Sequence, residues 1–91
     1  MPQNHPLQIN NLRRNLTTTA VIKKSPGTVW QIVCIASGSI SLNNGVTIGA
    51  GSALAGSPYT LTAGQVLPLD LPFTIGLNAS AVSGSFNILF I

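Results

Sequence analysis

The sequence predicts an all-β protein, a small antiparallel β-sandwich or barrel of seven to eight short strands with an extended N-terminal arm. Alternating apolar and polar runs recur at roughly eight-to-ten-residue spacing, separated by Gly, Ser, Asn and Pro. No segment keeps an amphipathic helical period over roughly ten residues. Hydrophobic residues make up 45% of the chain and charged residues 5%, against about 25% charged in an ordinary soluble domain. That balance excludes disorder driven by low hydrophobicity and high charge. At 91 residues there is room for one small domain. Surface scaling leaves about 63% of the unfolded surface buried, enough for one core and too little for a large enzyme pocket.

Residues 1–25 read as the arm. The stretch to about residue 15 is rich in Asn and Gln, and Pro2 and Pro6 bias it towards extended backbone. Leu7, Ile9, Leu12 and Leu16 are too irregularly spaced to define a core face, yet too many for a purely solvating tail. Such sparse anchors suit a segment laid in a partner's groove. Leu7, Ile9 and Leu12, with Arg13 and Arg14 to meet carboxylates or carbonyls, are therefore the expected partner-binding residues. Leu16–Ile22 is rich in Thr and β-branched residues and is a possible first strand. Lys23 and Lys24 at its end are read as keeping a sheet edge soluble. Ser25-Pro26-Gly27 breaks the chain before the sandwich, residues 26–91.

Thr28–Ala36 places Trp30, Ile32 and Cys34 on one face and Val29, Val33 and Ile35 on the other. A strand apolar on both faces is central or lies at an interface. Ser37-Gly38 is expected to break it, and Ser39–Asn43 resumes with Ile40 and Leu42 inward. Asn43-Asn44-Gly45 signals a tight turn into a short return strand, Val46–Ile48. Residues 49–58, rich in Gly and Ala, form the loosest part. Tyr59, Leu61 and Ala63 alternate up to a turn at Ala63-Gly64. Val66–Leu71 follows, and Pro68 marks it as an edge strand or a bulge. Phe73, Ile75, Leu77 and Ala79 alternate with Thr74, Gly76, Asn78 and Ser80. Ser83-Gly84 turns the chain into a last strand, Ser85–Ile91. The expected core is Trp30, Ile32, Leu42, Leu61, Leu69, Phe73, Ile75, Phe86 and Ile88.

Chemistry is sparse. The chain holds one Asp, one His, one Cys, one Tyr and no Glu. Asp70 has no carboxylate with which to share acid and base roles. His5, Cys34 and Asp70 are one ligand short of a structural zinc site. Cys34 lies in the most apolar strand, where cysteine behaves as a small hydrophobe. Catalysis, cofactor and metal are accordingly not expected. Asp70, between Leu69 and Leu71, reads as a turn or ion-pair residue, and Trp30 as core rather than a stacking platform. The net charge of +3 comes from four cations and one acid, a weak basic patch, so nucleic acid is not an expected partner.

The opening residues carry no apolar run of signal-peptide type, and no window approaches a membrane-spanning helix. With a single cysteine, synthesis in a reducing host cytoplasm is expected. So little charge leaves little repulsion between copies, which suits a protein that works inside an assembly. Self-association as a trimer or dimer is expected.

The strings TVWQIV, SGSISLNNG, LTAGQVLPL, PFTIGL and FNILFI, spread over residues 28–91, resemble small structural proteins of tailed bacteriophages. That group includes decoration or cement proteins and head-fibre or spike modules, mostly oligomeric β-sandwiches. The resemblance is one of strands and turns, and no functional residue transfers with it. It implies a virion protein at the capsid surface that decorates or cements the capsid by binding across neighbouring subunits. The partners would be capsid or other virion proteins. An arm of this length reaches roughly 80 Å, enough to cross onto a neighbour. The alternative is a receptor- or carbohydrate-binding β-module of a fibre or spike, for which Trp30 and Tyr59 are the aromatic candidates beside three phenylalanines.

Overall fold

The computed structural model describes residues 11–91 and contains seven strands and no helix among them. They are β1 (Asn11–Leu16), β2 (Ala20–Lys23), β3 (Gly27–Asn44), β4 (Ser52–Ala53), β5 (Tyr59–Leu61), β6 (Val66–Phe73) and β7 (Leu77–Phe90). All pairings are antiparallel and belong to one continuous sheet. The two long strands β3 and β7 pair along most of their length and form its spine. On its other edge β7 carries β1 and β2, while β3 carries β6, β5 and β4 in turn.

This sheet cannot lie flat. A straight 18-residue strand spans roughly 56 Å, but the longest extent of the molecule is 41 Å. Gly27 at the start of β3 pairs with Phe73, and Asn43 near its end pairs with Asn78. Three residues, Thr74 to Gly76, separate β6 from β7. Both ends of β3 are thus brought to one short connection, and the spine is folded over. The result is a two-layered sandwich. The first layer is β1, the end of β7, the start of β3 and β6. The second is β2, the start of β7, the end of β3, β5 and β4.

The fold-over lies where breaks were expected. Ser37-Gly38 and Ser83-Gly84 do not terminate strands; they form the corner at which β3 and β7 pass together from one layer to the other. Ala36 pairs with Ser85 and Ser39 with Ser83, with the register slipping between them. The Ser39 N–H donates to Ser83 Oγ at 3.1 Å. Strands that switch sheets need such bulges, which increase local bend and twist. The two Ser-Gly-Ser strings are therefore opposite sides of one corner.

One hydrophobic core lies between the layers. Val29, Ile32 and Cys34 from the first layer meet Ile40, Leu42, Leu77 and Ala79 from the second, with Phe73, Phe86 and Ile88 among the largest buried side chains. Of the expected core, Ile32, Leu42, Leu61, Phe73, Phe86 and Ile88 are buried, and Leu69 packs at the margin. Two residues differ. A bulge between Val29 and Gln31 shifts the alternation, so Val29 rather than Trp30 shares the inner face with Ile32, and Trp30 is half-buried. Ile75 is 52% exposed because Thr74-Ile75-Gly76 is the link between layers, not strand.

Within the stretch expected as an arm, Asn11–Leu16 and Ala20–Lys23 are strands of the sheet. β1 and β2 extend the sheet through β7, and Leu16 is 2% exposed in the core. The Ser25-Pro26-Gly27 break is the loop between β2 and β3. Val46–Ile48, expected as a return strand, is a loop.

Candidate interaction surfaces

Leu7 and Ile9 lie outside the described residues. Leu12, Arg13 and Arg14 fall in β1, where the backbone of Leu12 is opposite Leu89 and that of Arg13 opposite Ile88. The described part of that segment therefore pairs with the C-terminal end of β7.

A loop structure held by side-chain hydrogen bonds stands at the end of the sandwich where β3 finishes and β7 starts. Its organiser is Asn78, fully buried in a strand interior. Its Nδ2 donates to the carbonyl oxygens of Gly45 at 3.1 Å, Ala50 at 3.2 Å and Asn43 at 3.4 Å. Its Oδ1 accepts the Gly49 N–H at 3.0 Å. A buried amide is tolerated when its donors and acceptors are met in this way, and the network then fixes one conformation. Asn44 acts on the neighbouring loop. Its Oδ1 accepts the N–H groups of Ile75 and Gly76, and its Nδ2 donates to Thr74 Oγ1 at 3.0 Å. Gly45 makes the close approach possible, since a Cβ there would stand 2.4 Å from the Ala50 carbonyl oxygen. It does so without a positive φ, so the Asn43-Asn44-Gly45 string works by side-chain bonding and proximity rather than as a tight hairpin turn.

The loops held in this way present Val46, Ile48 and Ile75 to solvent. Val46 and Ile75 come together through Gly76, whose Cβ position is 2.9 Å from Val46 Cγ1. The same position is 2.7 Å from the carbonyl oxygen of Lys23, which places the backbone leading into the exposed Lys24 beside the loops. Three β-branched aliphatic side chains thus share one hydrogen-bonded end of the molecule, with the backbone of Lys24 nearby. Asn78 was the organiser that alternation concealed, because the pattern put it on the outer face with Thr74 and Ser80. The available signal was an Asn inside a strand, where Asn is depleted.

The residues considered for chemistry are scattered. Cys34 is buried and its Sγ donates to the Ala36 carbonyl oxygen at 3.3 Å. Tyr59 is buried, its hydroxyl donating to the Ala55 carbonyl oxygen at 2.5 Å, and desolvation pushes its pKa up. The indole N–H of Trp30 is buried with no acceptor among the described residues. Asp70 is exposed in a β6 bulge with a φ of 52°, facing the bulge at Trp30. Among the described residues no three His, Cys, Asp or Glu side chains gather as metal ligands. No helix among them is long and apolar enough to cross a membrane. No protein-family model, curated protein or solved structure matches the chain.

Proposed function

We propose that the protein is a virion structural protein that decorates or cements a capsid by binding across neighbouring subunits. The observation that carries this reading is the hydrogen-bonded loop end, where Val46, Ile48 and Ile75 project from a frame held by Asn44 and Asn78. Exposed aliphatic side chains on pre-ordered backbone suit passive docking, because little conformational entropy is lost on contact. The exposed Lys24, whose backbone lies nearby, fits a partner with carboxylates or carbonyls at the rim of an apolar depression. The scarcity of charge suits life inside an assembly, at the capsid surface, with capsid or other virion proteins as partners and with self-association. Function on this reading is mechanical and needs no proton transfer, metal or cofactor.

The alternative, a receptor- or carbohydrate-binding module, draws less support. It needs exposed aromatic side chains, and Tyr59 is buried while Trp30 is half-buried. The test is to purify particles from the cells that make the protein and to measure its occupancy by mass spectrometry and immunogold labelling. Ile48→Asp and Ile75→Asp should fold normally and be lost from the particles. Absence of the wild-type protein from particles, or full occupancy by both variants, would sink the proposal.

A further inference from the structure

The two outer faces of the sandwich are unlike each other, although the same strands β3 and β7 build the middle of both. In the second layer the outward residues are Ser39, Ser41, Thr60, Ala81 and Ser83, small and hydrophilic as a solvated sheet face requires. In the first layer, inward Ile32 and Cys34 leave Val33 and Ile35 outward, and inward Ile88 and Phe90 leave Leu89 and Ile91 outward. Val66 lies opposite Val33 on the same face. Ile35 is 47% exposed and Val66 50%. Gln31 and Asn87 are the uncharged polar members of this face. No described element packs over it. The β3 segment that is apolar on both faces is thus central within its sheet, and no described element covers one of its sides.

We propose that this outer face pairs with the same face of a second copy about a two-fold axis. Three observations favour a second copy. First, β3 and β7 carry no charged residue, and Asp70 is the only one on β6. The uncharged β3–β7 middle of the face meets no repulsion from its own image. Second, the size of the molecule is compatible with such a pair. The two larger extents, 41 × 29 Å, bound an outer face of roughly 1,200 Å², and a stable pair needs about 800 Å² from each partner. Third, growth along the sheet edge is blocked where β6 carries Pro68, Pro72 and the bulged Asp70. The proposed association is face to face rather than through this β6 edge. This inference does not depend on the virion role.

The test is sedimentation equilibrium of the full chain at micromolar concentration, with Trp30, the chain's one tryptophan, as a fluorescent reporter on the same strand. The full chain should sediment as a dimer, and Trp30 emission should move to the red on dilution. Ile35→Lys and Val66→Lys should each weaken association by about tenfold or more, while Ala81→Lys on the opposite face should leave it unchanged. Far-UV circular dichroism checks the fold. If either lysine variant unfolds, Ile35→Thr and Val66→Thr keep the β-branched shape and should show the same loss in smaller measure. A monomeric full chain, a trimer, or a dimer indifferent to Ile35 and Val66 would overturn the proposal. So would a monomeric full chain that dimerises only after deletion of residues 2–10, because the face would then belong to the chain's own N-terminal segment.

Discussion

A Cβ placed on Gly38 would stand 1.9 Å from the carbonyl oxygen of Ser83. The two backbones meet at the corner of the sandwich, and the obstruction is main chain, which cannot swing aside. Gly38→Ala should therefore cost about 3 kcal/mol or more, in the range of strain at a packed backbone site. Gly64 is a useful contrast. It has a φ of +88° and nothing within reach of its Cβ, so Gly64→Ala should cost only about 1–2 kcal/mol of left-handed backbone penalty. Urea denaturation of both variants checks the order. Equal costs would mean that the corner relaxes and that strand curvature does not depend on this contact.

Asn78 is the second position where one side chain holds several backbone segments. Asn78→Leu would fill much of its volume but leave the carbonyl oxygens of Gly45 and Ala50 and the N–H of Gly49 without their partner. Each buried polar group left unsatisfied costs about 1–3 kcal/mol. Where water reaches the loop, part of that is recovered, so a net loss of about 3 kcal/mol is expected. Amide hydrogen exchange should show Gly49 losing its protection while the Ile32 and Ile88 amides keep theirs relative to the new global stability. Unchanged protection at Gly49 would remove Asn78 from its organising role.

The strand and core pattern was legible because alternation follows directly from the pleat. Ile32, Leu42, Phe86 and Ile88 were placed by that rule alone. It failed where a residue was inserted. The bulge at Trp30 changes which parity faces inward, and no local composition marks it, since Val, Trp, Gln and Ile are all acceptable in a regular strand. Ser-Gly-Ser was recognised as a discontinuity, but a hairpin turn and a bent corner ask for the same small residues. Telling them apart needs the partner strand, here the second Ser-Gly-Ser. The loop end stayed hidden for a related reason. Val46, Ile48 and Ile75 alternate as strand residues do, and only the side-chain bonds of Asn44 and Asn78, made across some 30 residues of sequence, turn those segments into loops.

Tyr59 gives the fold an alkaline limit. Burial raises its pKa in the folded state above the ordinary value of 10.0. The folded protein therefore holds the phenolic proton at pH values where the unfolded chain releases it. The contribution is complete below pH 10.0, and it is lost as pH rises through the folded-state pKa. Thermal unfolding should show stability falling from about pH 10 upward, with a shallower fall in Tyr59→Phe. Because the chain has one tyrosine, its absorbance titration isolates the group. Identical alkaline profiles for wild type and Tyr59→Phe would show that the hydroxyl is solvated in the folded state.

The position of Leu16 separates two truncations that a free arm would make equivalent. Leu16 lies opposite Phe86 and is 2% exposed, and the Asn15 N–H donates to Asn87 Oδ1 at 2.9 Å. Deleting residues 2–10 removes no described strand and no described core residue, so the unfolding free energy should change by no more than about 0.5 kcal/mol. Deleting residues 2–16 removes β1, bares the edge of β7 from Phe86 to Phe90, and leaves a cavity the size of a leucine side chain. Leu16→Ala alone should cost about 2–5 kcal/mol, and the longer deletion more, since it adds the unpaired backbone groups of a new edge. The shorter variant should give a sharp cooperative transition in guanidinium. The longer one should be unfolded or aggregated at the same temperature. A stable, monomeric protein lacking residues 2–16 would show that β1 is an accessory to the sandwich and that the core closes without Leu16.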